Sequence, residues 1–336
     1  MSNSKYKLRV GRRALQSENL ERNWEWLDLN DLEIQQDDNV WVFGGNTTNE
    51  GSSANGNAKI IESVMDPSKR KRTNIYSFMY EAEPLDSNCA LLPEYVEEAR
   101  RVFETVFKPK LYDRSGNIKS KKGIETFLQK QTFVAHCGGS NFVNIIIDEI
   151  YNCIEKEYSE AEANFLIKKV QYYAYAPSEL PRYDVSAFMV MPYADQSYSW
   201  SKGLELAEEQ DVEVDFPRGI VRRLLKSKRQ GNLRNEFESL FESERALTFK
   251  IGQTTFLIPS QMNTKMHIGD HSIDCLTSPS VQDSGTEFAT TAKLTRSASG
   301  FYLDQFVSDT PIDYKRSFNK VSKMIENTPQ NHGEFA

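Results

Sequence analysis

Apolar positions fall along the chain in short runs closed by turn residues. "NVWVFGGN" (39–46), "TNIYSFMYEAEP" (73–84), "QTFVAHCGG" (131–139), "VQYYAYAP" (170–177), "SAFMVMPYAD" (186–195) and "TTFLIPS" (254–260) have strand length and composition. Between them lie helical patterns: "AKIIESVM" (58–65), "LPEYVEEARRVFETVF" (92–107), "NFVNIIIDEIYNCIEKEY" (141–158) and "FPRGIVRRLLKSKRQGNLRNEFESLFES" (216–243). Strands alternating with helices predict an α/β fold with a mainly parallel central sheet. Near-continuous apolar strands fit a sheet that helices cover on both faces.

Two segments interrupt this alternation. "NTTNEGSSANGN" (46–57) is rich in Gly, Asn and Ser and reads as a loop. "QSYSWSKGLELAEEQDVEVDFP" (196–217) opens a stretch read as a cap insertion spanning about 196–245. The expected organisation is an N-terminal extension (1–37), an α/β domain (38–275) and a C-terminal segment (276–336) whose last residues fray.

Composition narrows the classes. The chain has 336 residues, 39% hydrophobic and 26% charged, with a net charge of -7, which fits a globular protein. An acidic balance argues against a nucleic-acid partner, which needs a basic face. "KSKKG" (119–123) and "RRLLKSKRQ" (222–230) are short and read as solvated faces. No apolar run approaches the ~20 residues that span a bilayer. The N-terminus lacks the apolar segment of a secretory signal, so a cytoplasmic location is expected. Delivery by a dedicated secretion machine would leave no mark in such a sequence. Cys89, Cys137, Cys153 and Cys275 show no CxxC spacing, which argues against a zinc site and a disulfide framework. No metal and no cofactor is expected.

Cys137 stands apart from the other three cysteines, which read as packing residues. The run Ala135-His136-Cys137-Gly138-Gly139 places small residues two positions either side of it, between a strand and a helix. A strained strand-to-helix turn needs those small flanks, and it lifts the nucleophile beside the positive end of the helix. The segment resembles the nucleophile elbow of the α/β-hydrolase superfamily, with cysteine in place of serine, as in dienelactone-hydrolase-like and polyhydroxyalkanoate-synthase-like members. Ala135 stands where glycine is commoner. Ser140 falls in the first helical turn, where a structural role is expected.

The resemblance implies further roles. Superfamily members run nucleophile, acid, histidine along the chain. Asp195, after the strand at 186–195, takes the acid's place, with Asp184 and Asp270 as alternatives. "NTKMHIGDHSI" supplies His271 as the favoured base and His267 as the second choice. His136 adjoins the nucleophile, but strand alternation directs it away from Cys137. Backbone donors for an oxyanion are expected at Gly138 and in the Gly44-Gly45-Asn46 loop, chiefly Gly45 and Asn46.

The expected activity is therefore hydrolysis of an ester, thioester or amide through a Cys-His-Asp triad, acting on a small-molecule or acylated substrate. An acyltransferase on the same scaffold is the first alternative, and a non-catalytic interaction protein with this fold the second. Class I glutamine amidotransferases share such an elbow, but neither His267 nor His271 has the Glu two residues on that they require. "GGNTTNEG" lacks the GxGxxG spacing of a dinucleotide site. No oligomeric state is legible in the chain.

Overall fold

The computed structural model describes residues 8–13, 24–32, 34, 38–45, 73–80, 84–86, 90–191, 199–210 and 247–258. Nine strands are found among them: β1 (Leu8–Arg13), β2 (Trp24–Leu27), β3 (Asp38–Phe43), β4 (Thr73–Tyr80), β5 (Gln131–His136), β6 (Gln171–Tyr175), β7 (Ser186–Val190), β8 (Leu247–Ile251) and β9 (Thr254–Ile258). They form one sheet in the order β2-β1-β4-β3-β5-β6-β7-β9-β8. The pairings from β4 through β3, β5, β6 and β7 to β9 are all parallel. The β1–β2, β1–β4 and β8–β9 pairs are antiparallel, so an antiparallel strand pair closes each side. The fold class is α/β with a mostly parallel sheet. β1 and β2 come from the stretch expected as an N-terminal extension, yet they are strands of this same sheet.

Alternation along the strands sorts the core into two faces. Trp41 and Phe43 of β3 stand in register with Tyr76 and Phe78 of β4 and with Phe133 and Ala135 of β5. Trp41 stacks on Tyr76 with ring centroids 4.3 Å apart, and Phe43 stacks on Phe78 at the same spacing. The intervening residues Val40, Val42, Ile75 and Val134 are buried as well. A strand buried on both faces reads as a continuous apolar run, which is why β3 to β7 were visible in the sequence.

Helices pack on the aromatic face. Helix α1 (Pro93–Val102) opens with proline at its first position, where a missing N–H costs nothing. It runs into a π-helical turn (Phe103–Phe107) and then α2 (Lys108–Leu111). Pro109 accounts for the widened turn: it lacks an N–H and collides with the carbonyl four residues back. The turn brings Phe103, Val106 and Phe107 into the core, where Phe107 meets Trp41 and Phe133. Helices α3 (Lys121–Leu128) and α5 (Glu160–Ile167) start at Ser120 and Ser159, whose hydroxyls accept from Gly123 N–H and Glu162 N–H.

The long helix α4 (Gly139–Glu157) follows β5 directly and buries Phe142, Val143, Ile146, Ile147, Ile150 and Ile154. Phe142 stacks on Tyr80 at 4.9 Å and on Phe43 at 5.8 Å, so the first turn of α4 is fastened to the ends of β3 and β4. Helix α6 (Ser199–Glu209) lies in the stretch expected as a cap; it buries Leu204 and Ala207 in the same core as the other helices. The expected helices at 58–65 and 216–243 and the 46–57 loop lie outside the described residues.

Candidate functional site

The turn from β5 to α4 sits at the C-terminal end of a central parallel strand, the position where open α/β sheets hold their ligands. Cys137 occupies it with φ 49°, in the left-handed region that a residue with a Cβ rarely adopts. Gly138 already has helical backbone (φ -59°, ψ -18°), so a single residue reverses the chain from strand to helix. Cys137 as a residue is 8% exposed.

Each flanking glycine has its own steric cause. A Cβ on Gly139 would lie 2.2 Å from the Phe43 carbonyl oxygen, because α4 starts hard against the end of β3. A Cβ on Gly138 would lie 2.5 Å from Leu85 Cδ1, so Leu85 packs directly on the residue after the cysteine. A Cβ on Gly45 would lie 2.9 Å from His136 Nδ1 and 3.3 Å from Cys137 Cβ. Tyr80 holds this loop in place, its hydroxyl donating to the Gly44 carbonyl at 3.0 Å.

Cys137, Gly138 and Gly45 are thus brought to one corner. His136 joins them, which alternation alone did not suggest. It leaves β5 on the face opposite Phe133 and Ala135, but the left-handed turn at Cys137 swings the thiol carbon to the same point over Gly45. Gly138 N–H has no hydrogen-bond partner among the described residues, as befits the first donors of a helix.

A polar network lies beneath the corner. The Cys137 carbonyl accepts from the Ser140 hydroxyl at 2.8 Å, the Ser178 hydroxyl at 3.0 Å, and Ser140 N–H and Ser178 N–H at 3.1 Å each. The two hydroxyls are 3.1 Å apart, and both reach the Asn141 side-chain oxygen. Glu179 N–H donates to the Ser140 hydroxyl at 3.0 Å. Lys202 of α6 donates to the Ser178 carbonyl at 2.7 Å, fastening α6 to the end of β6. Ser140, Asn141 and Ser178 are buried. Sequence reading singled out neither Asn141 nor Ser178; the run Ala176-Pro177-Ser178 closing β6 was the only signal.

Asp184 stands elsewhere. It precedes β7, at the opposite end of the sheet from Cys137, a strand length of roughly 16 Å away at ~3.3 Å per residue. It accepts from Gln253 N–H at 2.5 Å in the β8–β9 turn and pairs with Lys168 at 2.9 Å. The structure does not bring Asp184 to the Cys137 corner. Asp195, Asp270, His267, His271 and Asn46 lie outside the described residues.

Cys153, on α4 roughly 24 Å along the helix from Cys137 at ~1.5 Å per residue, is a different kind of thiol. It lies 3.2 Å from the Tyr112 hydroxyl, and burial pushes it above the ordinary cysteine range. No group of three His, Cys, Asp or Glu side chains among the described residues is placed to hold a metal ion. No helix among them is long and apolar enough to cross a membrane. Compared with known proteins, the chain matches no protein-family model and no curated sequence.

Proposed function

We propose that the chain is an acyl hydrolase of the α/β-hydrolase type that cleaves an ester, thioester or amide through a cysteine nucleophile. The observation that carries this reading is the left-handed backbone of Cys137 on a one-residue turn between a central parallel strand and a helix. Such strain persists where the surroundings over-determine it, and it gathers at reacting residues. Gly139, pressed on the Phe43 carbonyl, and Gly45, against Cys137, supply the close backbone approach that such a turn requires.

In the proposed reaction the Cys137 thiolate attacks the acyl carbon, forming a C–S bond while the carbonyl π pair moves onto oxygen. Gly138 N–H and the backbone at Gly45–Asn46 receive that oxyanion. The intermediate collapses, the bond to the leaving group breaks, and the leaving group takes the proton that His271 removed from the thiol. Asp195 orients His271. Water, deprotonated by the same imidazole, then releases the acid and restores the thiol.

One observation favours the acyltransferase alternative. Cys137 is 8% exposed, and a nucleophile shielded from bulk water keeps its thioester longer. Both readings share the acyl-enzyme and differ in the acceptor that resolves it.

The test is intact mass after mixing with p-nitrophenyl esters of graded chain length, in wild type, Cys137→Ala and His271→Asn. An acyl adduct that Cys137→Ala abolishes and His271→Asn slows supports the nucleophile and base. An adduct released faster by an added thiol or amine than by water favours the transferase. An adduct that persists in Cys137→Ala, or none with any ester, sinks the reading and leaves a non-catalytic protein.

A further inference from the structure

The hydrogen bonds beneath the elbow converge on one atom, the carbonyl oxygen of Cys137. Two hydroxyls and two backbone N–H groups reach it between 2.8 and 3.1 Å. Each hydroxyl carries a single proton, and the Asn141 side-chain oxygen competes for it. The shortest donation to the carbonyl comes from the Ser140 hydroxyl. That hydroxyl in turn accepts from Glu179 N–H, which fixes its rotation. The anchors come from two chain segments, α4 (Ser140, Asn141) and the turn after β6 (Ser178, Glu179).

This carbonyl belongs to the same peptide unit as Gly138 N–H. The unit is planar and trans, since the described chain holds no cis bond. In a trans peptide the C=O and the N–H point in opposite directions. Holding the oxygen down into the buried serine network therefore aims the Gly138 N–H away from it, out of the network. Donors on the oxygen also draw electron density along the amide and make its N–H a stronger donor.

Resting on the hydrolase reading above, we infer that Ser140 and Ser178 are positioning residues that aim and polarise the Gly138 N–H for a developing oxyanion. Their hydroxyls bond the Cys137 carbonyl rather than its thiol, so they act through the peptide unit. Their effect is confined to steps in which negative charge forms on an acyl oxygen. Alkylation of Cys137 by iodoacetamide displaces iodide from a saturated carbon and forms no such oxyanion. The two reactions of one thiol thus separate oxyanion support from the shape of the elbow.

The experiment compares wild type, Ser140→Ala and Ser178→Ala in two rates at Cys137, acylation by a p-nitrophenyl ester and alkylation by iodoacetamide. The Gly138 amide proton is followed by NMR in the same proteins. Acylation is expected to slow about tenfold in Ser140→Ala, less than the ~100-fold or more that loss of a whole oxyanion donor costs. Alkylation is expected to stay at the wild-type rate, and the Gly138 amide proton to move upfield. Ser178→Ala is expected to show the same split to a smaller degree. Acylation and alkylation falling together, or neither changing, would overturn the inference while leaving Cys137 a nucleophile. If wild type forms no acyl adduct, the hydrolase reading fails by itself. The amide proton then decides: an unmoved resonance in both variants overturns the coupling, and an upfield shift sustains it.

Discussion

Tyr175 and Cys137 are joined by the last rung between β5 and β6: Cys137 N–H donates to the Tyr175 carbonyl at 3.2 Å. One residue further on, Ala176 has φ 47°, so two neighbouring strands end in left-handed residues that both carry a Cβ. The Ser178 N–H then returns to the Cys137 carbonyl. The strained turn is therefore held by its neighbour as well as by its own sequence.

That strain is measurable. A left-handed residue with a Cβ costs about 1–2 kcal/mol, partly offset by the greater unfolded-state freedom of glycine. Cys137→Gly is expected to be more stable than Cys137→Ala by about 0.5–1 kcal/mol, with neither forming an acyl adduct. Urea unfolding of the pair, monitored by tryptophan fluorescence, checks the difference.

Two glycines at the corner, Gly139 and Gly45, should not tolerate alanine equally. Gly139→Ala drives a Cβ into the Phe43 carbonyl, a backbone atom that cannot step aside, so a loss of about 3 kcal/mol or more is expected. Gly45→Ala meets a side chain, His136, and should cost nearer ~1 kcal/mol. Its larger effect is expected on acylation, because the added methyl also presses on Cys137. Denaturation midpoints rank the two variants, and adduct mass reports the second effect.

Phe142 is the keystone of the aromatic packing beside the elbow, touching Phe43, Tyr80 and Tyr95. Phe142→Ala is expected to destabilise by about 3–5 kcal/mol. Phe142→Leu should keep most of that stability. Thermal melts of the two variants distinguish packing from any particular ring geometry.

Asp148 supplies a pH dependence. Burial holds its carboxyl above the ordinary aspartate range, although Arg182 pulls the other way. A carboxyl with a raised folded value binds more protons when folded. Its contribution therefore favours the fold at pH below the unfolded value and declines as pH rises through the folded one. Asp148→Asn is expected to remove that decline, so its stability relative to wild type should improve from pH 4 to pH 7. A constant difference across that range would contradict the assignment. Melting temperatures at closely spaced pH values read it directly.

Cys153 provides the internal control for thiol chemistry. Burial raises its thiol, with the Tyr112 hydroxyl acting against that rise. At pH 8 it should alkylate more slowly in the folded protein than in urea. Cys153→Ser is expected to leave acylation at Cys137 unchanged. Peptide mapping after brief iodoacetamide treatment tests both statements.

The parallel strands were legible because burial on both faces writes an unbroken apolar run, as in "TNIYSFMY" and "QTFVAH". β1, β2 and β8 escaped notice for the converse reason. "LRVGRR", "WEWL" and "LTFKI" are short and mix charge with apolar positions, as strands at or near a sheet edge do. The same physics hid α3, whose opening "KK" reads as a basic surface cluster while Ile124 and Leu128 face the core. At the candidate site the local turn was legible, since Cys137 and its glycines are contiguous. Ser178 was not: its contact with the Cys137 carbonyl spans 41 positions. Asp184 precedes β7, and in a parallel sheet that places it at the end away from Cys137.

The link between Cys137 and the turn after β6 also sets an order of events in folding. Parallel neighbours meet only after the chain has closed a crossover between them, which makes such pairings late and slow. The crossover from α4 to α5 has to close for Tyr175 and Ser178 to reach the elbow. Until they do, the elbow lacks the rung from Tyr175 and the return bond from Ser178 that help hold Cys137 in its left-handed backbone. Burial of Cys137, 8% exposed in the folded chain, is then a clock for that stage of assembly, readable by pulse labelling of the thiol during refolding.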